Sequence, residues 1–231
     1  MSAPLGSPRL HLRETDSTNE RAKALAAAGA PHGSLVTAAE QHAGRGRQGR
    51  AWSAPPGRAL LMSLVLREWP AILPLAAAVA VADVVGAQAA IKWPNDVLLP
   101  GGKVAGILVE GRPQEGWAVL GIGVNVAVRS EDLPAELRGV AATLALEPSA
   151  IEPMLDALLS ALDERLALEP AALLDAFRAR DALLGREVRW QHGRGIAAGV
   201  DETGRLLVDA GGGAVAALDA GEVHLVVAQR A

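Results

Sequence analysis

The sequence predicts an α/β (α+β) chain: a larger domain of alternating strands and helices over residues 1–184 and a small all-β domain over residues 185–231. Three observations lead to that expectation. Up to residue 182, apolar runs of strand length alternate with alanine- and leucine-rich stretches of helical length. After Leu184-Gly185 the pattern changes to short β-favouring runs separated by glycine-rich turns. The 231 residues, half of them hydrophobic, suffice to bury one sizeable core and a smaller second one.

Leu10-His11-Leu12 starts as a strand, and Glu14 to Glu20 turns into a helix that runs through Lys23 and Leu25 to Gly29. Ser17 followed three residues later by Glu20 reads as a capping box, and Gly29 with Pro31 as a helix stop. Ser34 to Glu40 is a strand, Gln41 to Ser53 a loop rich in glycine and arginine, and Ala59 to Arg67 a second strand. The apolar run Trp69 to Ala82 is shorter than the ~20 residues needed to cross a bilayer, so a buried helix is expected over about residues 74 to 87. Ile91-Lys92-Trp93 is a short strand stopped by Pro94. The Pro100-Gly101-Gly102 turn leads into Val104 to Glu110 and Trp117 to Val126, two long strands joined by a hairpin over Gly111 to Gly116. Helices are favoured over 131–138, 152–168 and 171–182. Five strands follow, at Glu187–Gln191, Arg194–Val200, Arg205–Asp209, Ala214–Leu218 and Val223–Val227, a spacing that suits a small barrel or sandwich with little stability alone.

The totals narrow the function classes. A net charge of −4 gives no global basic field for coating nucleic acid or an anionic membrane. The chain has no cysteine, which removes disulfides, thiolate nucleophiles and cysteine-based zinc sites, and suits a reducing cytoplasm. The five histidines show no paired ligand spacing, and the polar, proline-containing start shows no secretory signal. Among 22 cationic side chains only Lys23, Lys92 and Lys103 are lysine, and only Asn19, Asn95 and Asn125 are asparagine. Where arginine is the default cation, a lysine points to a need for a compact ammonium on a flexible stem, although chance explains Lys23 as well.

Four motifs carry chemistry. Gly44-Arg45-Gly46-Arg47-Gln48-Gly49 satisfies G-x-G-x-x-G, but a strand follows where a dinucleotide fold needs a helix. Arg45, Arg47 and Arg50 lie within six residues, so the loop is either a solvated surface loop or one that folds over an anion and brings several charge-assisted donors to it. Lys92-Trp93-Pro94-Asn95-Asp96 and, beyond the Gly-Gly turn, Lys103 and Gly106 flank a chain reversal. Two ammonium groups could converge there beside the Asp96 carboxylate, which could hold Mg²⁺, orient a lysine or accept a proton; the plain alternative is a surface ion pair in a hairpin. Ser17-Thr18-Asn19 opens a helix whose free N–H groups and hydroxyls could take a carboxylate or a urea-like head. Gly121-Ile122-Gly123-Val124-Asn125 permits close approach of a ligand or of another backbone.

In order along the chain, Asp16-Ser17-Thr18-Asn19, Gln41 to Trp52, Lys92-Trp93-Pro94-Asn95-Asp96, Lys103 to Glu110 and Gly121 to Asn125 together resemble the biotin protein ligase family. The resemblance implies a mixed-sheet catalytic domain of the class II aminoacyl-tRNA synthetase and biotin-lipoyl ligase type, with an SH3-like β-barrel after it. It implies an ATP-dependent enzyme that makes biotinyl-5'-AMP, releases pyrophosphate, and transfers biotin to a lysine of a biotin carboxyl carrier protein. By resemblance Ser17, Thr18, Asn19, Gln41, Gly44, Arg45, Gly46, Arg47, Lys103 and Gly106 contact biotin, and Arg47, Arg50, Trp52, Asn95, Lys103 and Asn125 lie around ATP and Mg²⁺. Lys103, Arg47 and Asp96 are the expected catalytic residues, with Asp96 near the attacking acceptor lysine. The metal ligands are left unassigned. The cytoplasm is the expected compartment, without membrane or DNA partners, and a homodimer is compatible with the family.

Three departures accompany the resemblance. Some members carry an N-terminal helix-turn-helix, whereas the first motif here is reached by residue 16. Some stack adenine on an aromatic residue of a later loop, and none occurs here between Val126 and Glu169. Some end the tail motif on arginine, where Gly221-Glu222-Val223-His224-Leu225-Val226 has Val226. Lipoate ligation is the rival within the fold, and a nucleic-acid module using Arg45 to Arg50 is the rival outside it.

Overall fold

The structure, a computed structural model, describes residues 4–219 and 223–226. The larger unit is a seven-stranded sheet built from β1 (Arg9–Leu12), β2 (Leu35–Ala38), β3 (Ala59–Leu66), β4 (Ala90–Lys92), β5 (Asp96–Leu99), β6 (Gly102–Arg112) and β7 (Trp117–Asn125) in the order β1-β2-β3-β7-β6-β5-β4. Only β1 and β2 run parallel, because α1 (Thr18–Ala27) connects them, so the sheet is mixed.

Alternation along the central strands divides the chemistry between two faces. Leu60, Met62 and Leu64 of β3 and Leu120, Ile122 and Val124 of β7 point into the main core, where α2 (Leu73–Val85) and α3 (Ile151–Leu166) pack on the sheet and α4 (Pro170–Arg178) packs on α2. Nine residues of α2 are buried, consistent with a helix hydrophobic all round and enclosed by sheet and helices. The opposite face carries Ser63, Gly106, Leu108, Glu110, Gly121 and Gly123, with α1 over one end and the arginine-glycine loop over the other. The opposite face is packed at its two ends by smaller apolar clusters, and the site lies between them.

The smaller unit is a five-stranded antiparallel sheet of the SH3-like barrel kind. Its strands β8 (Glu187–Trp190), β9 (Gly193–Val200), β10 (Leu206–Asp209), β11 (Val215–Leu218) and β12 (His224–Leu225) pair in the order β11-β10-β9-β8-β12. Val188, Ala197, Val200, Leu206 and Val208 join the same buried cluster as α2. Trp93 Nε1 donates to the Gly204 carbonyl at 2.9 Å, and Gly204 packs on Ile72 and Leu75, which fastens the two units together.

Four local expectations need correction. The capping box does not form: Ser17 occupies the N-cap of α1 without a side-chain bond, and Glu20 turns instead to cations. Residues 131–138 are not an α-helix but two short 3₁₀ turns, Ser130–Asp132 and Ala135–Leu137, since Pro134 between them cannot extend a helix. α4 ends at Arg178 rather than 182, because the next backbone groups pair with β4 through Ile91 N–H to Arg180 O and Ala182 N–H to Ile91 O. β5 was not anticipated; Asp96–Leu99 pairs between β4 and β6. Of the tail motif, Gly221 and Glu222 lie outside the described residues, as does Val227 of the fifth strand expected there.

Candidate functional site

The helix N-terminus and this sheet face meet first. Ser17 N–H donates to Asp16 Oδ1 at 2.8 Å, while Thr18 donates to Gln41 Oε1 through its N–H at 2.7 Å and its hydroxyl at 3.0 Å. The orphan donors that begin α1 are therefore served by neighbouring side chains rather than by Ser17. Ser63, wholly buried on β3, donates to Asn19 Oδ1 at 2.6 Å and lies 2.8 Å from Thr18 Oγ1. Asn19 lies against Gly121 of β7, where a Cβ would overlap its amide. That close approach explains the glycine.

The arginine-glycine loop is folded back on itself. Gly46 N–H donates to Arg50 O and Trp52 N–H to Gly44 O, with a turn at Gln48 in the left-handed region (φ 55°). Arg47 Nη1 donates to Asn95 Oδ1 at 3.0 Å, and the Asn95 amide donates to the Ile107 carbonyl at 2.6 Å, so β6 fixes Asn95 and Asn95 receives the loop. Arg45 pairs with Glu20 of α1 and lies 3.9 Å from Glu110. The Trp52 ring covers Gly106 and Gly123, whose added Cβ atoms would come within 3.1 and 2.6 Å of it. Trp52 Nε1 is buried without an acceptor among the described residues.

Lys103 Nζ stands 2.6 Å from Asp96 Oδ1 and 5.6 Å from the Trp52 ring centroid. These groups enclose a cavity of about 110 Å³. Arg45, Arg47, Arg50 and Lys103 line it with Asp96 as the sole carboxylate, together with Ser17, Thr18, Asn19 and Gln41. Four cations against one anion make the cavity a place for anionic groups.

Most residues singled out in the sequence are brought together here: Gly46, Trp52, Asn95 and Gly106 also line the cavity. Gly44 does not; it shapes the loop base, where a Cβ would overlap the Trp52 carbonyl. Asn125 is buried with its amide donating to Ala142 O at 2.9 Å, so it ties β7 to the 141–144 segment instead of lining the cavity. Lys92 stands opposite Asp96 in the β4–β5 register but is not in the lining, so only Lys103 reaches the site.

Sequence reading missed the partners that sit beside this cavity. Glu110 accepts from Asn19 Nδ2 at 2.9 Å and from Lys23 Nζ at 3.0 Å, and Lys23 also pairs with Glu20 at 2.7 Å. Hydrogen bonding from Lys23, and then from Arg45, lowers the Glu20 carboxyl from its usual range against the effect of desolvation. Desolvation alone would lower Lys23, but bonds to Glu20 and Glu110 outweigh it and raise its pKa. Only the repeated lysine rarity hinted at Lys23, and nothing local marked Ser63. Away from the cavity, exposed Glu14 and His42 gather with Glu40, the imidazole nitrogens lying 3.4 and 3.5 Å from the two carboxylates. Each ring nitrogen faces a different carboxylate, a bridging arrangement that histidine spacing along the chain did not reveal.

Comparison with known proteins matches residues 12–126 to the biotin/lipoate A/B protein ligase family and residues 183–226 to the biotin protein ligase C-terminal domain. A biotin--[acetyl-CoA-carboxylase] ligase of Mycobacterium tuberculosis is 36% identical over 240 residues, covering 92% of this chain and 87% of that protein. The chain belongs to the biotin/lipoate protein ligase family. Within the family it is also 41% identical over 154 residues to a bifunctional ligase/repressor BirA of Bacillus spizizenii, covering 61% of this chain and 47% of that protein. The chain thus matches about half the length of the bifunctional Bacillus relatives. Among solved structures, the biotin protein ligase of Aquifex aeolicus in complex with biotin and ATP aligns with a TM-score of 0.81 at 27% identity, covering 96% of this chain and all of that one.

Proposed function

We propose that this family member is an ATP-dependent biotin protein ligase, biotin--[biotin carboxyl-carrier protein] ligase, which forms biotinyl-5'-AMP and transfers biotin to a lysine of a carrier domain. The observation that carries the reading is the convergence of Arg45, Arg47, Arg50 and Lys103 on a cavity whose other wall offers small polar groups from α1 and Gln41. Joining a carboxylate to an α-phosphate brings anion onto anion, so such a site must supply converging cations and hold the reacting atoms in line.

In the first step a biotin carboxylate oxygen bonds to the α-phosphorus as the bond to the bridging oxygen breaks and pyrophosphate leaves. Lys103 stands between the two anions, and Arg47, braced on Asn95, follows the phosphate charge. Arg50 and Trp52 line the nucleotide side, where the acceptorless Trp52 Nε1 offers a donor to adenine or ribose. A Mg²⁺ arriving with ATP would be held by phosphate oxygens and waters, since the cavity's one carboxylate, Asp96, is already paired with Lys103. In the second step the acceptor amine attacks the acyl carbon, AMP leaves, and Asp96 is the group placed to take the amine proton. No described helix is long and apolar enough to cross a membrane, in keeping with a cytoplasmic enzyme acting on a protein partner.

Lipoate is the competing substrate because the family includes both activities. The test is adenylate formation by the purified protein from ATP and either biotin or lipoate, followed by transfer to a carrier domain. Pyrophosphate release with biotin alone supports the reading; release with lipoate alone overturns it.

A further inference from the structure

Glu110 occupies no position that the proposed reaction requires, yet it is the hub of the polar groups beside the cavity. It projects from β6 on the same face as Gly106 and Leu108, with its side chain only 22% exposed. One carboxylate oxygen accepts from Asn19 Nδ2 at 2.9 Å and the other from Lys23 Nζ at 3.0 Å. An ionised carboxylate only accepts, so the end of Asn19 that faces it must be the NH₂. The Asn19 carbonyl oxygen then faces β3, where the Ser63 hydroxyl donates to it at 2.6 Å. Gly121 leaves no side chain beneath the amide. The Asn19 amide is therefore held in one orientation by an acceptor on one end and a donor on the other. Its second N–H has no acceptor among the described protein groups, and Asn19 lines the cavity.

We propose that Glu110 is a positioning residue for substrate recognition: it fixes the polarity of the Asn19 amide so that the cavity is presented with an N–H donor and selects a small acid carrying a hydrogen-bond acceptor there. This inference rests on the biotin ligase reading of the same cavity. Glu110→Gln keeps the volume but can turn either end of its own amide toward Asn19, so the orientation is no longer imposed. Loss of a well-aligned donor in the ground and transition states alike raises KM and leaves kcat in place.

The experiment is steady-state adenylate formation by the full chain with biotin as the varied substrate, beside thermal melting. Glu110→Gln should raise the KM for biotin about tenfold, the effect of losing a hydrogen bond of ordinary strength, with kcat within about threefold. Lys23→Met, which leaves the Glu110–Asn19 bond intact, should keep KM near wild type. The double variant Asn19→Asp with Glu110→Gln restores a donor–acceptor pair of reversed polarity; melting should recover while KM stays high, because no N–H then faces the cavity. An unchanged KM in Glu110→Gln, a raised KM in Lys23→Met, or recovery of KM together with melting in the double variant would overturn the proposal. Should Glu110→Gln fail to fold, Asn19→Ala must raise KM and Lys23→Met must not. If wild type itself forms no adenylate from biotin, the functional reading fails; if wild type is active and the variants behave alike, only the role of Glu110 fails.

Discussion

Replacing Lys103 separates binding from chemistry at this cavity. Its ammonium is 2.6 Å from Asp96 and lies over the Trp52 ring, so Lys103→Ala removes one of four lining cations and also exposes the Asp96 carboxylate to the substrate anions. The two effects add. Losing one preorganised electrostatic stabiliser typically slows chemistry ~10²–10³-fold. Repulsion from the uncovered Asp96 adds to that loss, so Lys103→Ala combined with Asp96→Asn should adenylate about tenfold faster than Lys103→Ala alone, equivalent to ~1.4 kcal/mol. Stability should hardly respond: a partly exposed ion pair contributes ~0–1 kcal/mol, at most about 4 °C in a domain of this size. Lys103→Arg should rescue poorly, because Nζ lies 2.9 Å from where a Gly106 Cβ would stand, and the guanidinium is broader with donors in a fixed fork. The assay is single-turnover biotinyl-adenylate formation, with exposed Arg112→Ala as control. If Lys103→Ala stays within a few-fold of wild type while correctly folded, or if Asp96→Asn slows it further, the placement of Lys103 between the two anions is refuted.

Gly123→Ala would put a Cβ 2.6 Å from the Trp52 ring, forcing it off the strand; biotin-dependent adenylation should fall at least tenfold, and tryptophan quenching by ATP should shrink with it, whereas unaltered ATP quenching would remove Trp52 from the nucleotide side. Desolvation raises the Asp181 carboxyl, whose Oδ2 is buried without a partner. Its folded pKa exceeds its unfolded one, so its stabilising contribution is complete below the unfolded value and lost as pH rises through the folded one. Asp181→Asn should therefore melt higher than wild type at neutral pH, the gap closing below about pH 4. Desolvation would raise the Asp201 carboxyl too, but donation from the Thr203 hydroxyl and from the Arg205 and Thr203 N–H groups brings it down to about 2. That contribution is present above the unfolded value and disappears as pH falls through the folded one, so Asp201→Asn should lower the melting temperature at pH 7 and match wild type near pH 2.

Much of the architecture was legible in the chain because it rests on local rules. Strand-length apolar runs became β2, β3, β6 and β7, the alanine-rich run became the enclosed helix α2, and the change after Gly185 became the small barrel. Even the site was largely traceable, since residue types scarce in this sequence, Lys103, Asn19 and Asn95, converge on one cavity. Elements failed where neighbours in space overruled neighbours in sequence. α4 stops at Arg178 because its continuation finds backbone partners on β4, and Ser17 does not cap α1 because Gln41, 23 residues beyond Thr18, arrives there first. The partners of ionic groups were least legible of all. A charged side chain carries no local sign of which opposite charge it will meet, so Arg45 finding Glu20 and Lys23 finding Glu110 were decided only when the sheet brought those segments side by side. Composition and periodicity determined that strands and helices with a cationic loop would form; the register of β3, β6 and β7 decided which side chains share one face of the sheet, because pairing fixes the alternation of faces for every residue along those strands at once.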